Sequence, residues 1–339
     1  MDSPSVLVVD GNSLVHRSFH AQAHTATRSS AGVPNWAVRG LLGQLIAAID
    51  RLRPERVVVG FDDPDASVRR ETWPTYKAHR VEKLDSLVQQ LALAAEVLRG
   101  LGVAVVVPPA LEADDVLCST AALARREGGT AVVVTSDRDA FALIDDSTAV
   151  LRIINGGVDA SPLMTAERLV LLMGVRPEQY PDFAALRGDP SDNLPGVRGI
   201  GPRTAARLLG EFGSAQAAFD DLEAVRARVG NGVAARLSAD GAREAWALNR
   251  QVMAMRADVE VVAGPLPLAE SAVAGVCAEQ GLTFTTRNAL RVLAGVESDG
   301  PVDVPVTTGW VDRWPAPAAR RLPKLPPRKP RVEQLALFD

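Results

Sequence analysis

A chain of 339 residues with 47% apolar content is long enough for one large domain or two small ones with a real core; it has no apolar run of membrane-spanning length and opens on strand-like sequence, not a signal segment, so it reads as cytoplasmic. Its two cysteines, Cys118 and Cys277, lie far apart and outside any metal-spaced pair, which excludes a disulfide framework and a zinc site. The net charge of −4 speaks against a nucleic-acid partner only until a set of clustered carboxylates is neutralised by cations, because what then remains is net basic, with Arg and Lys gathered in discrete segments.

Buried strands are expected at 6–9, 57–61, 103–107, 131–135 and 149–154, with helical periodicity between them, giving an α/β layout with a mainly parallel sheet. Asp10 follows the first strand directly, in Asp10-Gly11-Asn12, a sequence that also suits an ordinary turn. Arg17 lies one or two helical turns further on, within reach of a phosphate. Asp62 follows the second strand. Between it and Leu87 stand Arg69, Arg70, Lys77, Arg80 and Lys83, interleaved with Trp73, Tyr76 and His79. Basic residues among aromatics suit an unpaired nucleic-acid strand, whose bases stack while its phosphates are neutralised; the plainer alternative is a solvated charged loop.

Glu112, Asp114 and Asp115 follow the third strand across Pro108-Pro109 and open a helix, where acids also complement the helix dipole. After the fourth strand, extended backbone would point Asp137 and Asp139 the same way, toward one ion, although either could be a cap. Asp189 and Asp192 precede Gly196 to Ala205, whose Gly199-Ile200-Gly201 before a helix presents backbone N–H groups to a phosphate. From about 177 to 295 the pattern is helical. Residues 300–331 are rich in Pro, Arg and Lys and read as an extended linker, and the last residues turn apolar again.

The nine carboxylates Asp10, Asp62, Glu112, Asp114, Asp115, Asp137, Asp139, Asp189 and Asp192 can converge on the crevice at the carboxyl ends of the strands. Close together they repel by several kcal/mol per pair unless cations are bound. Hard oxygen ligands without His or Cys select Mg2+ or Mn2+, two or more ions, and point to phosphoryl chemistry.

Together, Val8-Val9-Asp10-Gly11-Asn12-Ser13-Leu14, Phe61-Asp62, Tyr76-Lys77-Ala78-His79-Arg80, Glu112-Ala113-Asp114-Asp115, Asp137-Arg138-Asp139 and the segment 188–205 resemble the bacterial 5′-nuclease family, which includes the 5′–3′ exonuclease domain of DNA polymerase I and flap endonucleases. The resemblance runs in order over roughly residues 5–290. It implies a PIN-like α/β domain over 1–176 with a helical arch at about 66–90, then a helical DNA-binding region with a helix-three-turn-helix over 177–297. It implies that Asp10, Asp62, Glu112, Asp114 and Asp115 are ligands of one metal or its water shell and that Asp137, Asp139, Asp189 and Asp192 are ligands of a second. Lys77, Arg80 and Arg17 would meet the scissile phosphate. Arg69, Arg70, Tyr76 and Lys83 would contact DNA, as would Gly196, Gly199, Gly201, Arg203 and Thr204, whose turn often holds a potassium ion in the family. His16 and Val68 stand where polymerase-attached relatives usually carry aromatics, and 81–86 lacks the proline usual early in the arch. No polymerase module follows, so a free-standing, monomeric nuclease acting on 5′-flap, nicked or 5′-end DNA is expected.

Residues 298–332 form the linker of this reading, and 333–339 resembles the peptide by which bacterial replication and repair proteins dock on the β sliding clamp, through Gln334, Leu335, Leu337 and Phe338. The rival readings are a PIN-type ribonuclease and a catalytically inactive, clamp-tethered binder of branched DNA.

Overall fold

The apolar runs fold into parallel strands: β1 (Val6–Asp10), β2 (Arg56–Gly60), β3 (Ala104–Val106), β4 (Ala131–Thr135) and β5 (Thr148–Arg152). β6 (Leu163–Met164) adds an antiparallel edge to β5, and the short strand Gly264–Pro265 pairs antiparallel with β2, so that the sheet runs β3-β2-β1-β4-β5-β6. The computed structural model describes residues 5–282 and 286–296. The linker at 298–332 and the peptide with Gln334, Leu335, Leu337 and Phe338 lie outside the described residues.

The strands are apolar along their length because both faces of the sheet are covered. Leu7 and Val9 of β1 join a cluster with α1 (Gly11–Gln22) and α2 (Trp36–Leu52). After α3 (Val68–Thr72), α4 (Asp85–Gly100) packs on that same face. Val6 and Val8 point the other way, onto α5 (Ala113–Arg126). The short α6 (Gly157–Ala160) and α7 (Ala166–Met173) lead to α8 (Tyr180–Arg187), and α9 (Pro202–Phe212), α10 (Ala215–Asp220), α11 (Leu222–Arg228), α12 (Asn231–Leu237) and α13 (Ala242–Val252) extend the α5 side as a helical array. Each buried Leu or Phe of these clusters contributes on the order of 1.5–3 kcal/mol relative to exposure.

The end of the helical region departs from its sequence reading. The chain returns to the sheet at Gly264–Pro265, with the Leu266 amide donating to the Glu55 carbonyl at 2.8 Å. α14 (Glu270–Glu279) and α15 (Thr286–Leu293) then pack into the cluster of α1, α2 and α4. Helical periodicity records that one face of these segments is buried, not against which layer.

Two close approaches fix the loops at the carboxyl ends of the strands and before α9. A Cβ on Gly11 would stand 2.5 Å from the Phe61 ring, so the turn after β1 packs flat against the end of β2. Gly188, at φ +75°, faces the backbone of Gly196 so closely that neither position has room for a side chain.

Candidate active site

The strand order reverses direction between β1 and β4, and there the loops leaving the carboxyl ends open a crevice. A cleft of about 1830 Å3 occupies it, lined by Asp10, Asp62, Asp114, Asp137 and Asp189 together with Arg17, Arg70, Lys77, Arg80, Lys83 and Arg187. A separate cavity of about 10 Å3, room for a single water, is lined by Asp114, Asp139 and Asp192. Seven of the nine expected carboxylates thus gather around Asp114, which borders both spaces.

Asp10 caps α1, accepting from the Ser13 amide at 2.8 Å, and its other oxygen accepts from the Thr135 hydroxyl at 2.7 Å. Burial pushes its pKa up to about 7; the Ser13 and Thr135 hydrogen bonds pull it back, and Asp62 and Asp137 add to the rise. Asp62 is clamped by Asn12, whose Nδ2 donates to Oδ2 at 2.8 Å while its Oδ1 accepts from the Asp62 amide at 3.0 Å. The Ala113 amide, at the start of α5, donates to the other Asp62 oxygen at 2.9 Å. Burial, then the charges of Asp10 and Asp137, raise Asp114 well above the usual carboxylate range.

The chain turns at Arg138 (φ −82°, ψ −22°) into a 3-10 turn beginning at Asp139, so the extended backbone expected across Asp137 and Asp139 is absent. The cause is local: the Asp139 amide donates to Asp137 Oδ1 at 3.0 Å. Asp137 consequently faces the cleft while Asp139 borders the small cavity. Burial, then Asp137 and Asp189, push Asp139 up to about 7, opposed by Arg187 at 3.7 Å, and its Oδ1 is buried without a hydrogen-bond partner. Asp192 is also raised, by burial first, against the lowering pull of Lys77 and Arg80.

Three expected site residues are corrected. Asp115 is fully buried and lines neither space: it takes the Arg69 guanidinium at 2.7 and 2.9 Å and the amides of Glu112 at 3.1 Å and Arg256 at 2.8 Å. It is an internal anchor, not a facing metal ligand. Arg69, expected at DNA, is 9% exposed and also donates to the carbonyls of Val252 at 3.3 Å and Ala254 at 2.9 Å. Tyr76, expected at DNA, borders both spaces but is only 5% exposed, packed with Leu194 and Val252, and its hydroxyl donates to Glu112 Oε2 at 3.0 Å. Along one turn of α3 the neighbours Arg69 and Arg70 point in different directions, and only Arg70 is exposed and borders the cleft.

Glu112 likewise lines neither space; its Oε2 accepts from Arg69 at 3.3 Å, Tyr76 and, at 3.1 Å, Lys77. Burial lowers the Lys77 pKa, but Glu112, Asp192 and Asp114 outweigh it and hold the ammonium above its ordinary value. Arg80 pairs with Asp192 at 2.5 Å, and Arg17 donates to Asn155 Oδ1 at 3.0 Å. In the turn before α9, the carbonyls of Pro195, Gly199 and Val197 accept from Asn249 at 3.0 Å, Arg236 at 2.8 Å and the Ile200 amide at 2.9 Å. Gly199, Gly201 and Arg203 are exposed and Gly196 and Thr204 half-buried.

Sequence reasoning missed Asn12, Thr135, Arg187 and Asn155. Asn12 alone carried a signal, standing two residues after a strand-end aspartate; Thr135 reaches Asp10 across 125 positions of sequence.

The donor set fits hard divalent ions in chemistry and charge. Desolvated carboxylates raise one another's pKa, and a buried carboxylate oxygen is left without a donor. Among the described residues no three His, Cys, Asp or Glu side chains stand close enough to enclose an ion as arranged. No helix among the described residues is long and apolar enough to cross a membrane.

A family model described as 5′-3′ exonuclease, N-terminal resolvase-like domain, matches residues 5–171, and one described as 5′-3′ exonuclease, C-terminal SAM fold, matches residues 175–272. DNA polymerase I of Mycobacterium tuberculosis is 40% identical over 235 residues, 69% of this chain and 26% of the polymerase. The thermostable DNA polymerase I of Thermus aquaticus is 38% identical over 243 residues, 72% of this chain and 28% of the polymerase. The chain therefore spans about a quarter of the length of the relatives it matches. The structure of the T5 D15 protein co-crystallised with metal ions superposes with a TM-score of 0.59 at 17% identity, covering 85% of this chain and 99% of that one. The catalytic core of Rad2 in complex with a DNA substrate gives a TM-score of 0.56 at 16% identity, covering 86% and 92%. The fold is thus that of a resolvase-like PIN domain joined to a helical SAM-fold region.

Proposed function

Because the chain belongs to the 5′–3′ exonuclease family, we propose that it is a divalent-metal-dependent, structure-specific 5′ nuclease that hydrolyses DNA phosphodiesters near 5′ ends or at single-strand/duplex junctions. The observation that carries this reading is one cleft in which desolvated carboxylates stand beside Arg17, Arg70, Lys77, Arg80 and Lys83. The metal ligands would be Asp10, Asp62, Asp114, Asp137 and Asp189 from the cleft, Asp139 and Asp192 from the small cavity, and Glu112 from the base of α5. When bound, Mg2+ or Mn2+ ions in such a site activate water and offset the charge of the leaving oxygen.

The chain's own residues do the rest. Asn12 and the Ala113 amide hold Asp62 in one orientation, and Ser13 and Thr135 do the same for Asp10. Lys77 stays an ammonium and Arg80 a guanidinium, so both act on a phosphate by charge and hydrogen bonding, not by proton transfer. Arg70 and Lys83 border the cleft on the same segment and would track the strand leading into it. The exposed turn at Gly199 and Gly201, with Arg203 and Thr204 opening α9, would grip duplex phosphates. A potassium ion there would have to share carbonyls that already accept from Asn249, Arg236 and the Ile200 amide; comparing duplex affinity in KCl and choline chloride tests it.

The deciding experiment is cleavage of 5′-flap, nicked and single-stranded DNA with MgCl2, beside an RNA flap. Asp114→Ala and Asp139→Ala should each lose most activity and keep duplex binding. Unchanged cleavage in both variants removes the mechanism, while duplex binding without any cleavage by the parent protein would favour the inactive binder. Docking on the β sliding clamp through Gln334, Leu335, Leu337 and Phe338, by a monomer, completes the proposal. Clamp co-elution that survives deletion of 334–338 would refute that part.

A further inference from the structure

Two of the three cations expected at the phosphate, Lys77 and Arg80, are engaged by two of the acids expected at the metals. Lys77 Nζ stands 3.1 Å from Glu112 Oε2, with its side chain only 11% exposed. The Arg80 guanidinium pairs with Asp192 at 2.5 Å and also donates to the Ser191 carbonyl at 3.3 Å. Backbone and amide contacts dock the same segment: the Lys77 amide donates to the Asp192 carbonyl at 2.9 Å, and Asn193 Nδ2 donates to the Thr75 carbonyl at 2.8 Å. Lys77 adopts a left-handed conformation, φ +55°, which a side-chain-bearing residue keeps only when its surroundings hold it there.

We infer that residues 75–83 form a latch that divalent ions release: ions at Glu112 and Asp192 displace Lys77 and Arg80, and only then are these cations available to the phosphate. The inference rests on the reading of Glu112 and Asp192 as metal ligands. An ion of charge two, taking directional oxygen ligands, competes well against an ammonium or guanidinium that makes one or two hydrogen bonds. Release leaves little unsatisfied behind, because Glu112 Oε2 keeps Arg69 and Tyr76 as donors after Lys77 leaves. The outer end of the latch is the weaker, since the Arg80 side chain is 47% exposed. Charge that balances the acids at rest thereby becomes charge that meets the substrate, and Lys77 and Arg80 turn to the phosphate only once the site is loaded.

The test is limited trypsin digestion of the full chain without DNA, in EDTA or in MgCl2 at matched ionic strength, with cuts after Lys77, Arg80 and Lys83 quantified by mass spectrometry. Cuts after Arg226 and Arg228, remote from the cleft, serve as the internal reference. Proteolysis of an open segment tracks its population, so MgCl2 should speed cleavage at 77–83 on the order of five-fold relative to the reference sites. Asp192→Asn should cut fast already in EDTA and respond little to MgCl2. Cleavage unchanged or slowed by MgCl2 in the parent overturns the latch, as does an Asp192→Asn variant that behaves like the parent. A protein that cuts flap DNA but shows no metal-dependent opening keeps the nuclease reading and loses the latch; opening without nuclease activity does the reverse.

Discussion

Replacing Arg69 with Met separates an internal anchor from a DNA contact. Asp115 has no exposed surface, so Arg69→Met leaves a buried carboxylate whose guanidinium donors, at 2.7 and 2.9 Å, are gone. Breaking a buried pair from one side costs roughly 3–5 kcal/mol. The amides of Glu112 and Arg256 still donate to Asp115, which favours the lower end. The carbonyls of Val252 and Ala254 each lose a donor, about 1 kcal/mol apiece, which restores part of the difference. The total remains near 3–5 kcal/mol, a fall in Tm of about 4–8 °C for a chain of this size. Urea titration and calorimetry measure it in EDTA, with fluorescence anisotropy on a flap substrate for the folded variant. Arg70→Met, one residue on, exposed and bordering the cleft, should leave Tm nearly unchanged and weaken flap binding. A Tm within about 1 °C of the parent for Arg69→Met, together with weakened flap binding, would return Arg69 to the DNA interface and refute the internal-anchor assignment.

Asp10 carries a folded-state pKa raised to about 7 without metal, so its stabilising proton is present below about pH 4 and is lost as the pH rises through 7. In EDTA, the stability of Asp10→Asn relative to the parent should therefore rise by roughly 2–3 kcal/mol between pH 5 and pH 8, read from urea midpoints; an advantage that does not grow with pH would contradict the burial argument. His16 follows the opposite sign: burial, then Lys83, His20 and Arg80, lower it to about 4, so its contribution to stability is lost as the pH falls from 6.5 through 4, and His16→Gln should flatten that acid limb. Asn12→Ala should raise the Mg2+ concentration for half-maximal activity several-fold, with most of kcat recovered at saturating Mg2+; an unchanged metal dependence would remove Asn12 as the residue that positions Asp62. Gly188→Ala should destabilise strongly, because the new Cβ meets the Gly196 backbone at a positive φ; a thermal melt like the parent's would show that the two backbone segments can move apart.

Much of the acidic site was legible in the chain because carboxylates at the ends of buried strands must emerge on one edge of a parallel sheet. Asp10, Asp62 and Asp137 needed only strand recognition and the rule that such sheets bind ligands at their carboxyl ends. Less legible was the direction of side chains close together in sequence. Glu112, Asp114 and Asp115 share one helix start, yet only Asp114 faces the cleft. Asp137 and Asp139 were expected side by side, and one amide hydrogen bond turned them onto different spaces.

The sequence by itself determined the α/β alternation, the strand segments along the chain, the acids at their ends and the Gly-rich turn before α9, all of which are local properties of pattern and spacing. Only the tertiary structure decided that Arg69 and Asp115 face inward as a pair, that Thr135 steadies Asp10, and that Gly264–Pro265 returns to the sheet. Periodicity says that a face is buried, but the partner that buries it stands elsewhere in the chain. A charged side chain therefore becomes anchor or site according to what packs over it, and that is settled when the layers meet.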